Sequence, residues 1–285
     1  MSMSASDGIM IWIWSLRVVV VVNLALLFLF ARQVAQDNQH LSAGESRYRR
    51  RLLWLSALFV VGCAFRSLLP RADVQRIALF AGWPSTVLIG RTVATVAEMA
   101  FMAQWALVLR EGTPPGRRDL GWWVGRTLVP IIAVAEAFSW YAVLSTNFIG
   151  NVVEQSIWTV TSALVVAGAM TRSAPDWRPF AQTVAAMIVP YVLFMCVSDV
   201  PMYVRRWRAD QARGHADLGL LDGFRDAATR VLLTRRWEPW HDEIAWMTLY
   251  FSAGVWISLW LVRGSPAPAS VMSRDEQKSN SKFAS

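Results

Sequence analysis

Seven apolar stretches punctuate this chain, and they constrain its fold more than any motif does. They lie near residues 9–31, 52–70, 86–109, 123–145, 151–171, 180–204 and 243–262. A run of about 18 or more mostly apolar residues can cross a bilayer as an α-helix. In hydrocarbon a single segment must satisfy its own backbone, and the helix does so. The expected fold is therefore an all-α integral membrane protein, a seven-transmembrane-helix bundle over residues 1–263. Hydrophobic residues make up 55% of the chain and charged residues 17%, which leaves no room for a second globular domain. Residues 264–285, rich in Ser, Pro and Lys, are expected to form a disordered cytoplasmic tail. The first stretch does not read as a signal peptide. It is too long, and Asp7 precedes it without any Lys or Arg.

The net charge of +8 invites a nucleic-acid reading, which the positions of the charges exclude. Basic residues sit at the ends of the apolar stretches, where membrane topology places them. Fourteen Arg and Lys fall on the side of the 32–51, 110–122 and 172–178 segments and the tail, against Arg71 and Arg76 on the other side. The long 205–242 connection mixes Arg with acidic residues and counts for less. This bias predicts an external N-terminus and a cytoplasmic C-terminus. Within the connection, Leu218, Leu221, Phe224, Val231 and Leu232 alternate with Asp222, Arg225, Asp226 and Arg230. That pattern suits a short amphipathic helix, lying in the membrane interface or capping the bundle. Cys63 and Cys196 are the two cysteines, too few for a disulfide framework.

Charged residues inside apolar stretches are the functional signal. Glu98, Glu136, Glu154 and Asp199 fall there, with Arg17, Arg66 and Arg91. Ionised groups are costly in hydrocarbon, so they face the bundle interior and mark function or an ionic network. Following the helices by direction puts them in the outer half of the membrane. Glu98 and Glu136 lie deepest, roughly 10–18 Å in at 1.5 Å per residue. Residues seven apart share a helix face, so Arg91, Glu98 and Trp105 form one stripe. Glu136 and Trp140, with Asn147 further along, form a second. Glu154, Trp158 and Thr161 form a third, Tyr191, Cys196, Asp199 and Tyr203 a fourth, and Glu243, Trp246, Tyr250 and Gly254 a fifth. Charges beside aromatic groups suit an outward-opening pocket with apolar walls. The four carboxylates are candidate catalytic groups. Arg66, Arg91, Trp140, Asn147, Trp158, Tyr203, Glu243, Trp246 and Tyr250 are candidate substrate-binding groups. Arg91 with Glu154 is the expected ion pair, and a purely structural network remains the alternative.

Several chemistries are excluded by what the spans lack. The lysines are Lys278 and Lys282, both in the tail, so no retinal Schiff base can form. The histidines are His40, His215 and His241, too few for His-rich di-iron or zinc sites or a bis-His haem. No cofactor is expected. A carboxylate-bound metal on Glu98, Glu136, Glu154 and Asp199 is a lesser alternative, since nearby Arg compete for the same oxygens. Phosphate loops, nucleotide fingerprints and nucleophile elbows are absent from the sequence.

Two function classes follow. The first is a membrane-embedded enzyme acting on a lipid-like or isoprenoid-like substrate. There a carboxylic acid kept protonated by its apolar setting gives a proton to an alkene, epoxide or ester oxygen. Glu98 or Glu136 is the expected acid, and Glu154 or Asp199 the ionised partner. The second is a proton- or cation-coupled transporter or channel, with a ligand-binding sensor as a third alternative. Transport needs a polar path through both leaflets, and the polarity here is one-sided. The expected partners are membrane lipid and an apolar or amphipathic small molecule.

Overall fold

The computed structural model describes residues 5–269 apart from 38, 115, 173 and 176. It is an all-α bundle. Helices α1 (Ala5–Asp37), α2 (Ala43–Leu68), α3 (Val87–Glu111), α4 (Leu120–Ser145), α5 (Ile149–Met170) and α6 (Trp177–Ala212) are followed by a short α7 (Leu220–Thr229) and by α8 (Trp237–Gly264). All but α7 are long and apolar enough to cross a membrane, and the chain is a polytopic integral membrane protein.

The helices outrun the apolar stretches, because hydropathy marks only their apolar middles. Arg47, Arg49, Arg50 and Arg51 belong to the first turns of α2, and residues 205–212 complete α6. The anticipated 32–51 and 205–242 loops therefore shrink to the residues between Asp37 and Ala43 and between Ala212 and Trp237. Polar caps fix the starts. Ser42 Oγ accepts from Glu45 N, and Asp119 Oδ1 accepts from Trp122 N at 2.9 Å, each satisfying one orphan N–H. The expected tail begins docked. Tyr48 Oη donates to Ser265 Oγ at 3.1 Å, and Arg49 donates to the carbonyls of Val262, Arg263 and Ser265. That guanidinium caps the last carbonyls of α8, where a cation is favoured. Residues 270–285 of the expected tail lie outside the described residues.

One end of the bundle carries a small sheet. Strand β1 (Arg71–Ala72) pairs antiparallel with β2 (Ile77–Ala78), and β3 (Leu232–Leu233) joins β2 in parallel. Arg76 closes the hairpin with φ 59°. Its guanidinium reaches Asp226 at 2.7 Å and the carbonyls of Asp73 and Val143 at 2.8 Å. One arginine thus ties the hairpin to α7 and α4. Helix α7 caps this sheet end. Ala227 is buried with Val87 and Val143, and Gly223 lies so close to the Leu144 backbone that a Cβ would overlap it. Its Leu220, Leu221 and Phe224 remain exposed, so the amphipathic face points away from the bundle.

Around the bundle, α2, α3, α4 and α5 pack in sequence, α6 packs along α5, and α8 packs against α1 and α2. At the tail end a polar knot joins α2, α3 and α8. Ser258 Oγ donates to Gln104 Oε1 at 2.8 Å and lies 3.0 Å from Ser56 Oγ, while Gln104 Nε2 donates to the Ser258 carbonyl at 2.8 Å. Two π-helical turns interrupt the α-helical ladder, Met195–Asp199 in α6 and Tyr250–Gly254 in α8. Such turns disturb the ladder and recur at functional sites. Asn23 on α1 props the second one. Its Nδ2 donates to the Phe251 carbonyl at 2.8 Å, and its Oδ1 accepts from Trp256 Nε1 at 3.0 Å.

Candidate functional site

The site grows from Arg91, one turn into α3. Its Nη2 donates to Glu98 Oε2 at 2.8 Å, seven residues along the same helix, and to Glu136 Oε2 of α4 at 2.7 Å. Its Nη1 lies 3.6 Å from Glu154 Oε1 of α5. Arg66 at the end of α2 adds a second guanidinium, donating to Glu98 Oε1 at 3.3 Å, and Tyr250 Oη of α8 donates to the same oxygen at 3.1 Å. Thr95 Oγ1 donates to Glu136 Oε2 at 2.6 Å and accepts from Trp140 Nε1 at 3.1 Å. Asn151 Nδ2 donates to Glu154 Oε2 at 3.1 Å. Five helices thus supply one ionic cluster buried within the bundle.

The expected Arg91–Glu154 pair is present, but Glu98 and Glu136 lie closer to the guanidinium. Ligand oxygens of Glu98, Glu136 and Glu154 all come within 4.8 Å of one another, a spacing that a divalent cation could bridge. Arg91 stands among them and donates to two of the three, so the guanidinium already supplies the positive charge such a cation would bring.

A second group lies nearer the sheet end. Glu243 accepts from Arg206 Nη1 at 2.7 Å, from Trp246 Nε1 at 2.6 Å and from Gln75 Nε2 at 2.9 Å. Arg206 also reaches Asp242 at 3.4 Å. Asp199 is 5% exposed. Among the described residues its carboxylate makes no hydrogen bond or ion pair.

Both groups border one cavity of about 390 Å³, within the range of about 300–1,000 Å³ common for small-molecule sites. Glu98, Glu154, Asp199, Glu243, Arg66 and Arg91 line its polar part, with Tyr203, Trp246 and Tyr250 beside them. Met102, Trp105, Val165, Met187, Ile188 and Ile257 line the remainder, an apolar floor. Residues 71–75 line the cavity as a cover at its sheet end. Arg71 of this cover is held by the carbonyls of Pro84 and Thr86 at 3.0 and 2.9 Å, and burial pushes its guanidinium down to about 10.

The sequence-derived candidates divide cleanly. Arg66, Arg91, Glu98, Glu154, Trp158, Asp199, Tyr203, Glu243, Trp246 and Tyr250 all face the cavity. Glu136 and Trp140 stand behind it, joined to the cluster through Arg91 and Thr95. Asn147 lies outside the lining. It accepts from Ile149 N and donates to Asp217 at 2.8 Å, which caps α5 and ties down the loop before α7. Thr161 is buried, but Ser162 takes the cavity-facing place. Cys196 is exposed, because the π turn shifts the register and turns Met195 inward. Arg17 lies over the rings of Trp14 and Phe80 at 4.6 and 5.9 Å and takes no part in the cluster. Thr95, Asn151, Gln75 and Arg206 join the site from outside the sequence-derived candidates. Thr95 and Asn151 carry a readable signal, one turn after Arg91 and one turn before Glu154. Arg206 lies beyond the apolar stretch of α6, where hydropathy predicts a connection.

No family model, curated protein or solved structure matches this chain. Fold and site together define a seven-helix membrane protein with an internal cavity, polar at one end and apolar at the other.

Proposed function

We propose that this protein is a membrane-embedded enzyme using carboxylate acid–base chemistry on a lipid-like substrate. The observation that carries the reading is that Glu98 and Glu154 face one largely apolar cavity while sharing Arg91 with a third carboxylate, Glu136. Three carboxylates against Arg91 and Arg66 leave the cluster one positive charge short, and a shared proton makes up the difference. That proton passes from a carboxyl oxygen of Glu98 or Glu154 to an alkene carbon or an ether or carbonyl oxygen of the substrate. A neighbouring carboxylate then takes a proton from the cationic intermediate, so the cluster ends as it began. Glu136 holds charge and proton behind Arg91 without touching the substrate.

Unpaired buried atoms support a working site over an inert network. Among the described residues, Arg91 Nε, Glu136 Oε1 and Asn151 Oδ1 have no hydrogen-bond partner within the protein, and Arg91 and Asn151 line the cavity. The tail-end half supports an enzyme over a transporter. Its polar groups Ser56, Gln104 and Ser258 bond to one another, so among the described residues they offer no continuous polar path beyond the cavity.

The test is turnover of a total membrane lipid extract by purified, detergent-solubilised protein, followed by mass spectrometry. A lipid should be consumed by the wild type and spared by Glu98→Gln and Glu154→Gln proteins of unchanged thermal stability. Full turnover by both variants, or no lipid changed by the wild type, refutes the reading.

A further inference from the structure

The wall between α6 and α8 differs from every other wall of the bundle. The two helices meet near their ends. Arg206 pairs with Glu243 at the sheet end, and Phe180 stacks on Trp260 at 5.2 Å and 8° at the tail end. Between these contacts both helices carry π turns, and each π turn lines the cavity, through Met195 and Asp199 on one side and Tyr250, Ala253 and Gly254 on the other. Of all the residues lining the cavity, three are exposed at the protein surface: Pro190, Tyr191 and Leu249. They stand on α6 and α8. These residues bring the cavity lining to the protein surface between the two helices, below its polar end.

Its shape and charge describe an occupant. Lining residues run from Arg91 to Trp105 on α3, from Asn151 to Val165 on α5 and from Glu243 to Ile257 on α8. At 1.5 Å per residue each run is about 20 Å long, which suits a single extended chain. The polar end is short of positive charge. Asp73, Glu98, Glu154, Asp199 and Glu243 face it, against Arg66, Arg71 and Arg91 and the Arg206 that pairs with Glu243. Asp199, more than nine-tenths buried and lining the cavity, makes no hydrogen bond or ion pair among the described residues, and neither does the less buried carboxylate of Asp73. A buried unpaired carboxylate is costly, and a cationic group beside it relieves that cost. The rings of Tyr203 and Trp246 at the same end offer π faces to a cation.

We propose that the cavity takes a single-chain amphiphile with an amine or ammonium head group, admitted from the bilayer between α6 and α8, with the head on Asp199 and the chain on the apolar floor. This assignment of substrate class rests on the lipid-like substrate proposed above.

The experiment is photolabelling of the full chain in phosphatidylcholine vesicles. The probes are dodecylamine and dodecanol, each bearing a diazirine in the chain, with adducts mapped by mass spectrometry. The amine should label floor residues of α3 and α5 such as Trp105 and Val165, about tenfold more than the alcohol does, as a charge-assisted bond to a buried carboxylate implies. Asp199→Asn should erase that preference and leave alcohol labelling unchanged. If the variant is labelled by neither probe its cavity has collapsed, and competition on the wild type decides instead. There unlabelled dodecylamine should displace the label better than dodecanol or dodecanoate. Equal labelling or equal competition by amine and alcohol overturns the head-group assignment. Adducts confined to lipid-facing positions of α1, such as Val18 and Val21, overturn occupancy altogether. Labelling needs no turnover, so a selectively labelled cavity without reaction would refute the catalytic reading alone.

Discussion

Arg91 and Glu136 meet at 2.7 Å across the seam between α3 and α4, and this contact couples the two helices through charge rather than shape. Removing the guanidinium strands Glu136 and Glu154 and leaves Glu98 with Arg66 alone, among carboxylates that lie within 4.8 Å of one another. Arg91→Ala should cost about 3–5 kcal/mol, the range for breaking a buried pair, measured as thermal unfolding in detergent. Combining it with Glu136→Gln should recover part of that loss, since the amide needs no counter-charge. A double variant no more stable than Arg91→Ala would show that the pair is not coupled.

Charge removal without change of volume separates chemistry from folding. Glu98→Gln and Glu136→Gln should melt near the wild-type temperature yet turn over substrate about 10²–10⁴ times more slowly. On the proposed mechanism Glu98 would act on the substrate itself and Glu136 through the cluster, so neither loss should be mirrored in photolabel occupancy.

Gly90 is required by a close approach. A Cβ there would overlap the Arg71 guanidinium, which holds the cover over the polar end through Pro84 and Thr86. Gly90→Ala should destabilise the protein by about 1–3 kcal/mol and raise protease sensitivity around residues 71–86. Gly116, where a Cβ meets nothing within 4 Å, marks a contrasting open position, although its φ of 83° makes substitution there a backbone test only.

The tail-end knot should matter for stability and not for chemistry. Gln104→Leu leaves the Ser258 carbonyl and hydroxyl short of partners, at about 1–3 kcal/mol. Turnover per folded molecule should be unchanged. A selective loss of turnover would place Gln104 in the site.

The charge bias of the connections predicts a cytoplasmic C-terminus. A reporter fused after Gly264 should be active only in its cytoplasmic form. The opposite result would place the sheet end, and the cover at residues 71–75, on the cytoplasmic side.

The number of spanning helices was legible because each apolar block has the roughly 18 or more residues that mark a membrane span. Their lengths were not, because Arg47–Arg51 and Arg205–Arg208 continue helices that hydropathy had already ended. Helical spacing correctly put Arg91, Glu98 and Trp105 on one face, and Glu243, Trp246, Tyr250 and Gly254 on another. It failed at Cys196, since a fixed angle per residue cannot foresee a π turn that inserts one extra residue. It also failed at Asn147, where the polar side chain serves a helix cap, a local role that depth alone cannot distinguish from a cavity-facing one. The cover at residues 71–75 depends on the long-range bonds of Arg71 and Arg76, which leave no periodic trace.

The contacts at the two ends of α6 carry one more consequence. A rod tied to α8 at both ends and clear of it between bows rather than swings, so widening the gap beside Tyr191 and Leu249 would change the curvature of α6, not its tilt. Curvature is resisted by whatever presses on the outer flank of the rod. The stiffness and lateral pressure of the surrounding medium would then set the exchange rate of the cavity's contents, as firmly as the concentration of those contents does.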